Sequence, residues 1–433
     1  MTSPGVKQFF RLILPVVCAA AIAHAQTLDT TAFVIMGEGL AAGMGNYGLS
    51  SVLQNQDFAV LVAGKMHTAI EQPLIQPPGI GDVIGYPAQE VQVQKYPQGS
   101  VRQTYLPADP AKDPIATPPL FVTNVSVPAL TLNDSVTMRP VAPVVQRGNM
   151  KQTVFNMILG FPQLILNNVQ QWTQLEYATS LRPTVALVEL GYYEALNAAV
   201  KGDPSLIPAA SDFGSTYSKV LAELRSTQAQ VIVMTIPNPI DTAYFNSAAA
   251  AAGVVHVSPS DLTGKFGLNP QDYITRNGIE AISAIFLSNG GNELPAGSTL
   301  AASTAAAITN GVNALNTQIV NAAKANGAVV YDLNALLHRV KVAGATAGAT
   351  TVNGDYLGGF YSLDGVYPGA TGHALIANDL LAFLNQTFHQ SFEAVDLAPM
   401  AAADPAVQLR HPKASLSSSA ARQRMEILRG RRR

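Results

Sequence analysis

The sequence has little cysteine and little charge. Its 433 residues include one cysteine, and charged residues make up 12% of the chain against 48% hydrophobic residues. That cysteine, Cys18, lies in a leader that we expect to be removed, so we predict a mature chain without disulfides or cysteine-based metal sites. The low charge and high apolar content exclude a disordered body and are typical of a large globular core. We find no basic strip interleaved with aromatic residues, so we expect no nucleic-acid partner.

The first 25 residues have the pattern of a secretory signal peptide. Lys7 and Arg11 precede an apolar run over residues 12–23, and the tripeptide AHA at 23–25 forms a small-x-small cleavage site. The apolar run is too short to span a membrane comfortably. We therefore expect residues 1–25 to be removed and the mature protein to be secreted or periplasmic.

The C-terminus carries charge of one sign. Residues 410–433 contain eight Lys or Arg and one acidic residue, Glu426, whereas the rest of the mature chain is net acidic. We predict that residues 394–433 form a disordered basic tail. Such a tail is either a solvated extension or a contact for an anionic surface, which includes a lipid, a polymer and the protein's own acidic body.

Five apolar runs predict the buried strands of a parallel sheet: 32–36, 120–127, 184–190, 230–236 and 328–333. Helical patterns separate or follow them at 57–67, 152–180, 211–226, 300–325 and 371–387. This alternation predicts a three-layer α/β/α sandwich over residues 26–393. Two insertions, a loop at 65–119 and a helical segment at 237–298, leave from the carboxyl edge of the sheet, where such folds bind their ligands.

The first predicted strand ends in a turn that has the shape of an active site. In the stretch FVIMGEGLAAGMG, residues 33–45, an apolar run breaks into glycines, an acid and small residues. Many α/β enzymes place a nucleophile at such a turn. Here Gly37, Glu38 and Gly39 offer no hydroxyl or thiol, and the next serine is Ser50.

The ends of the predicted strands resemble the sequence blocks of the SGNH/GDSL hydrolases, and the resemblance covers most of residues 30–388. The matching segments are GEGLAAG, NVSVPALTLND, LVELGYYEALNAA, TIPNP and FYSLDGVYPGATGHALIAND. The resemblance implies a flavodoxin-like fold and ester hydrolysis without a metal or other cofactor. In that family a serine attacks the ester, a glycine, the serine and an asparagine form the oxyanion hole, and a D-x-x-H block supplies the acid and the base.

The four residues that give this family its name are all replaced in the present chain. The serine position falls on Gly39, the glycine on Ala129, the asparagine on Tyr193 and the histidine on Tyr367. The triad acid is retained as Asp364. Two flanking acids of the family blocks appear as Glu38 and Glu194. The resemblance therefore implies a hydrolase fold with a catalytically silent site.

Three interpretations of this site remain open from sequence. A ligand-binding site for a glycan or acyl group, with Tyr192 beside the two flanking acids, predicts that Tyr193 and Tyr367 line an open pocket. Simple decay predicts that the two rings close the pocket. A new hydrolase acting on ester or glycosidic bonds predicts that the acids (Glu38, Glu194 and Asp364) converge, with His256 from the insertion as an additional candidate. The sequence does not give the oligomeric state.

Overall fold

The computed structural model describes residues 27–81, 83–84, 105–107, 111–112, 119–160, 164, 171–288 and 290–410. Four apolar segments form its central sheet: β1 (Phe33–Gly37), β2 (Val185–Glu189), β3 (Gln230–Met234) and β4 (Val329–Tyr331). They pair in parallel in this spatial order. Gly37 lies opposite Glu189 in the register, so the ends of β1 and β2 are neighbours. The predicted signal peptide and much of the predicted loop at 65–119 fall outside the described residues.

The predicted second strand does not form, so the sheet has four strands rather than five. Residues near Asn124 run beside β1 in parallel and share backbone hydrogen bonds with Ile35 and Gly37, but in the described chain the pairing is a single bridge, between Ile35 and Asn124, rather than a continuous ladder. The Gln174 side chain explains the interruption, because its amide donates to the carbonyls of both Gly37 and Val125 at 2.7 and 2.8 Å. A side chain thus lies where a longer β-ladder would continue.

Helices cover the sheet, and three of them position the site: α1 (Phe58–Lys65), α2 (Tyr192–Lys201) and α3 (Ala370–Phe388). Helix α1 packs against α3, and the two long helices Ala210–Ser226 and Ala302–Asn326 pack against each other. Further helices around the sheet in the described chain are Ser51–Gln54, Leu132–Thr137, Met150–Leu159, Gln174–Ser180 and Leu333–Ala343, with 3-10 turns at Pro204–Leu206 and Pro239–Asp241. In the part of the chain that the structure describes, no helix is both long and apolar enough to cross a membrane.

The predicted helical insertion is a small mixed subdomain. It contains the helices Ala248–Val255, Pro259–Phe266 and Arg276–Ser288. The strands Phe245–Ser247, Tyr273–Thr275 and Thr299–Leu300 form an antiparallel sheet beside them. A separate hydrophobic cluster that includes Ala252, Leu262 and Ile279 holds this unit together. Two short hairpins complete the fold, Met44–Gly45 with Gly48–Leu49 and Ala345–Ala347 with Thr350–Val352.

Part of the predicted disordered tail, residues 394–433, is helical in the structure. Residues 397–410 form two short helices, Leu397–Ala403 and Pro405–Arg410. The buried carboxylate of Asp404 between them accepts a hydrogen bond from the backbone N–H of Thr371 at 2.8 Å, in the first turn of α3. Since free N–H groups at a helix N-terminus favour an acidic partner, this contact fixes the segment to the body. Residues 411–433, which carry most of the basic charge, fall outside the described residues.

Candidate functional site

The turn after β1 is fixed by two carboxyl groups. A side-chain carbon at Gly37 would lie 2.8 Å from Ala41 Cβ and 2.9 Å from Glu189 Oε2, so only glycine fits there. The backbone N–H of Glu38 donates to Glu189 Oε2 at 3.1 Å. The N–H of Leu40 donates to Glu38 Oε1 at 2.9 Å. Both acids are buried.

Tyr367 fills the space in front of Gly39. A side-chain carbon at Gly39 would lie 2.6 Å from Tyr367 Oη and 2.8 Å from Tyr367 Cζ, much closer than atoms in ordinary contact. The Tyr367 hydroxyl donates to Glu38 Oε2 at 3.2 Å, and the side chain is buried. Residues 39 and 367, where the resemblance puts a nucleophile and a base, therefore face each other, and the phenol ring occupies the space that a side chain at residue 39 would need.

Asp364 is held by backbone donors of its own loop and of a neighbouring turn. Its Oδ1 accepts from the N–H groups of Val366 and Tyr367 at 2.8 and 3.0 Å. Its Oδ2 accepts from the N–H of Tyr47 at 3.1 Å. Burial raises the pKa of this carboxyl above its ordinary value. In this arrangement Asp364 shapes the segment that carries Tyr367.

The start of α2 supplies the other predicted residues. Tyr192 is buried, its hydroxyl donates to the carbonyl of Val366 at 3.1 Å, and its ring meets that of Tyr367 edge to face, with centroids 6.1 Å apart. Tyr193 is half-buried. Glu194 Oε1 accepts from the N–H of Leu132 at 2.7 Å. The two predicted ligand contacts on α2, Tyr192 and Glu194, are thus engaged inside the protein.

Ala129 has a backbone conformation that favours glycine. Its φ is 63°, in the left-handed region where an alanine side chain is strained. The residue follows Pro128 and precedes the helix Leu132–Thr137. A glycine, which the resemblance puts at this position in the family, would adopt this conformation without strain.

Burial dominates the electrostatics of the cluster. It raises the pKa of Glu38 to about 7 and that of Glu194 to about 7. The pKa of Glu189 is raised by burial and by the nearby charge of Glu38. Burial also raises the pKa values of Tyr192 and Tyr367, so both phenols stay protonated near neutral pH. Neutral phenols are poor bases, so Tyr367 is unsuited to abstract a proton near neutral pH.

The histidines near these positions in sequence lie in other environments. His373 is buried in α3, where its Nδ1 accepts from the backbone N–H of Phe58 at 3.3 Å. Burial lowers its pKa to about 3. His256 is exposed at the end of the helix Ala248–Val255. Across the residues that the structure describes, no group of three or more His, Cys, Asp or Glu side chains is arranged to hold a metal ion.

The sequence interpretation missed three residues that build this region. The apolar run at 184–190 predicts Glu189 only as a strand residue. An acid at the end of such a run is a signal that the residue lies at the carboxyl end of the strand. Tyr47 and Arg276 connect the insertion to the Asp364 loop. Arg276 Nη2 donates to Tyr47 Oη at 2.7 Å, and Tyr47 Oη donates to the Leu363 carbonyl at 2.7 Å. No short motif marks these two residues, because they lie 229 positions apart.

Two cavities in the described chain lie away from the tyrosines. One of about 570 Å³ lies between α1 and residues 390–395. Another of about 320 Å³ is lined by residues near both Thr27 and Arg182. Neither is lined by Gly39, Tyr193 or Tyr367. The ring that packs against Tyr367 is that of Tyr192, whereas Tyr193, which both the decay and the open-pocket interpretations name, is half-buried.

No family model and no curated protein sequence matches the chain. Solved structures give a weak likeness. LAE5, an alpha/beta hydrolase enzyme from the metagenome of Lake Arreo, Spain, has 11% identity and a TM-score of 0.34 over 83% of this chain and 97% of its own. TesA has 10% identity and a TM-score of 0.31 over 82% and 98%. Phospholipase A1 from Streptomyces albidoflavus NA297 has 10% identity and a TM-score of 0.35 over 83% and 100%. A likeness of this degree assigns neither a family nor an activity.

Proposed function

We propose that this chain is a secreted or periplasmic, catalytically silent protein of SGNH-hydrolase ancestry, in which the former active site has become part of the packed interior. The observation that carries the proposal is the contact between Tyr367 and Gly39. Tyr367 Oη lies 2.6 Å from where a side-chain carbon of residue 39 would be, and the ring is buried. This position has neither a nucleophile nor the space for one.

The expected loss of hydrolysis is large. In a well-studied serine hydrolase, removal of the serine or the histidine alone lowers turnover about a million-fold. Loss of an oxyanion-hole side chain costs a further ~100- to 1,000-fold. In this chain all three side chains are replaced, by Gly39, Tyr367 and Tyr193. The remaining acid, Asp364, is occupied by backbone N–H groups.

The two alternatives from sequence receive less support from the geometry. Binding of a glycan or acyl ligand in this cleft requires displacement of the buried Tyr367 ring. A new acid–base site requires Glu38, Glu194 and Asp364 to face one point. Instead, each of these carboxyls accepts hydrogen bonds from a different backbone segment, at Leu40, Leu132 and Val366.

The proposal is tested by hydrolysis of a panel of short p-nitrophenyl esters by residues 26–433. The natural protein is compared with a heat-killed blank and with the Gly39→Ser/Tyr193→Asn/Tyr367→His variant. Exposed imidazoles react slowly with activated esters, so His338→Gln, at an exposed histidine, is the matched control. We expect the natural chain to equal the blank and the triple variant to exceed it. Turnover by the natural chain well above the blank that persists in His338→Gln would overturn the proposal.

A further inference from the structure

A hydrogen bond joins two distant parts of the chain at the closed site. Tyr367 Oη donates to Glu38 Oε2 at 3.2 Å, which connects the segment before α3 to the turn after β1. The same segment also contacts Tyr192, through the Val366 carbonyl, and Tyr47, through the Leu363 carbonyl. The carboxyl group of Glu38 is the titratable acceptor in this set of contacts.

We infer that the Tyr367–Glu38 contact is part of a proton-dependent latch, in which residues 363–368 stay closed over the former active site while Glu38 is protonated and open to solvent when Glu38 ionises. The inference goes beyond the proposed function, which concerns only the loss of hydrolysis. It shares with that proposal the location at the former active site, and its test does not involve turnover.

The surroundings of Glu38 are unfavourable for a negative charge. Glu38 is fully buried. A second buried acid, Glu189, lies beside it, because Glu189 Oε2 accepts a hydrogen bond from the backbone N–H of Glu38. The titratable groups that interact with Glu38 or Glu189 come from several elements: Tyr367 from the segment before α3, Tyr192 and Glu194 from α2, Asp57 from the start of α1, and Tyr217 from the helix Ala210–Ser226. All of them are acids or phenols, so their ionisation adds negative charge.

Ionisation strengthens the hydrogen bonds that Glu38 accepts from the Tyr367 hydroxyl and from the backbone N–H groups of Leu40 and Gly39, but it weakens the closed state as a whole. A carboxylate accepts a hydrogen bond from the Tyr367 hydroxyl better than a neutral carboxyl does. Burial outweighs this gain, since it is the largest influence on Glu38 and raises its pKa to about 7. The closed state therefore binds the proton more tightly than a hydrated open state with the ordinary pKa of 4.5.

The segment that carries Tyr367 is suited to local opening. Residues 362–367 contain turns and bends, with no helix or continuous β-ladder. Gly365 has a φ of 75°, so this turn depends on a glycine. The segment can therefore move while β1, β2 and α3 keep their own hydrogen bonds. Titration of Glu38 alone should shift the ratio of open to closed states on the order of 100-fold between pH 5 and pH 8.

Backbone hydrogen exchange measures this opening directly. Exchange of residues 363–367 in the full mature chain is compared with that of β2 (Val185–Glu189) at several pH values from 5 to 8, after correction for the intrinsic rates. We expect the protection of the segment to fall on the order of 100-fold more than that of β2. An equal change in both regions would overturn the latch.

Two variants separate the latch from a general effect of pH. Glu38→Gln keeps the size of the side chain but cannot ionise, so the extra loss of protection should disappear. Glu194→Gln is the matched control, because Glu194 also has a pKa raised to about 7 but contacts Leu132 instead of Tyr367. In Glu194→Gln the protection of residues 363–367 should still fall more than that of β2 as the pH rises. Equal behaviour of the two variants contradicts the inference.

A third variant keeps the inference testable if Glu38→Gln does not fold. Tyr367→Phe retains the ring and removes the hydroxyl that lowers the pKa of Glu38. Glu38 should then hold its proton to a higher pH, and the midpoint of the opening should move upward. An unchanged midpoint in Tyr367→Phe would overturn the role of this contact.

Discussion

Two buried polar clusters flank the start of α3, and they differ in the group that titrates. Before the helix, Tyr367 packs with Glu38 and Glu189 at the sheet edge. Inside the helix, His373 packs against Phe58, with its Nδ1 3.8 Å from Asp57 Oδ1. The first cluster has acids and a phenol, and the second has an imidazole beside an acid.

The comparison shows that residue types alone do not make an active site. An imidazole and a carboxyl group lie close together where His373 meets Asp57 at the start of α1, but both side chains are fully buried. In the first cluster Asp364 accepts from the backbone N–H of Tyr367, and a phenol is the group that faces Gly39. Under the proposed function, the loss of hydrolysis is a matter of position, because the group that faces Gly39 is a phenol and not an imidazole.

The largest expected effect concerns the acid side of the stability curve. The pKa of His373 is lowered to about 3 in the folded state, so the unfolded state binds a proton first as the pH falls below 6.5. The free energy of unfolding should therefore fall by about 3 kcal/mol between pH 6.5 and pH 4 from this group. In His373→Leu that loss should be absent, as measured by urea unfolding at each pH. His256→Gln, at an exposed histidine, serves as the control, and an unchanged acid limb in His373→Leu would break the comparison.

A smaller effect of opposite sign is expected on the alkaline side. The pKa of Glu194 is raised to about 7 from 4.5 in the folded state, so its contribution is complete below pH 4.5 and is lost as the pH rises through 7. This carboxyl should lower the free energy of unfolding by about 2 kcal/mol between pH 5 and pH 8. Glu194→Gln should flatten the curve by that amount. The comparison fails if the variant instead changes the acid limb.

The smallest effect concerns Ala129, the position where the resemblance puts the family's glycine. Ala129 has a φ of 63°, which costs an L-residue about 1–2 kcal/mol and glycine little. Because glycine loses more backbone entropy on folding, Ala129→Gly should stabilise the protein by about 0.5–1 kcal/mol net. Thermal unfolding measures the gain. Gly64→Ala, in a helix with no atom near the new methyl group, controls for the general effect of the two residue types. A destabilised Ala129→Gly protein would contradict the assignment.

The sequence predicted the strands of the sheet well and its side-chain contacts poorly. The apolar runs near β1, β2, β3 and β4 locate each strand to within three residues, because strands buried on both faces are continuously hydrophobic. The run at 120–127 was wrong as a strand, because Gln174, 49 residues from Val125, interrupts its pairing with β1. A single-sequence pattern contains no signal for such a long-range contact.

The same limit applies to the site. The spacing of the motifs placed Gly39 and Tyr367 at the same edge of the sheet, and the structure brings them into contact. Whether Tyr367 lines a pocket or fills it depends on its rotamer and on which group accepts the hydrogen bond from its hydroxyl. That acceptor is Glu38, 329 residues away. Local sequence could not decide between these outcomes.

The Tyr367 ring occupies the space of a side chain at residue 39, and a double-mutant cycle measures this contact. The three atoms nearest to a new carbon at Gly39 all belong to Tyr367. Gly39→Ala should therefore cost about 1–3 kcal/mol of unfolding free energy in the natural chain and almost nothing in a Tyr367→Ala background. A coupling of more than about 1 kcal/mol is the result that the account predicts. An equal cost of Gly39→Ala in both backgrounds would show that the ring does not fill this space.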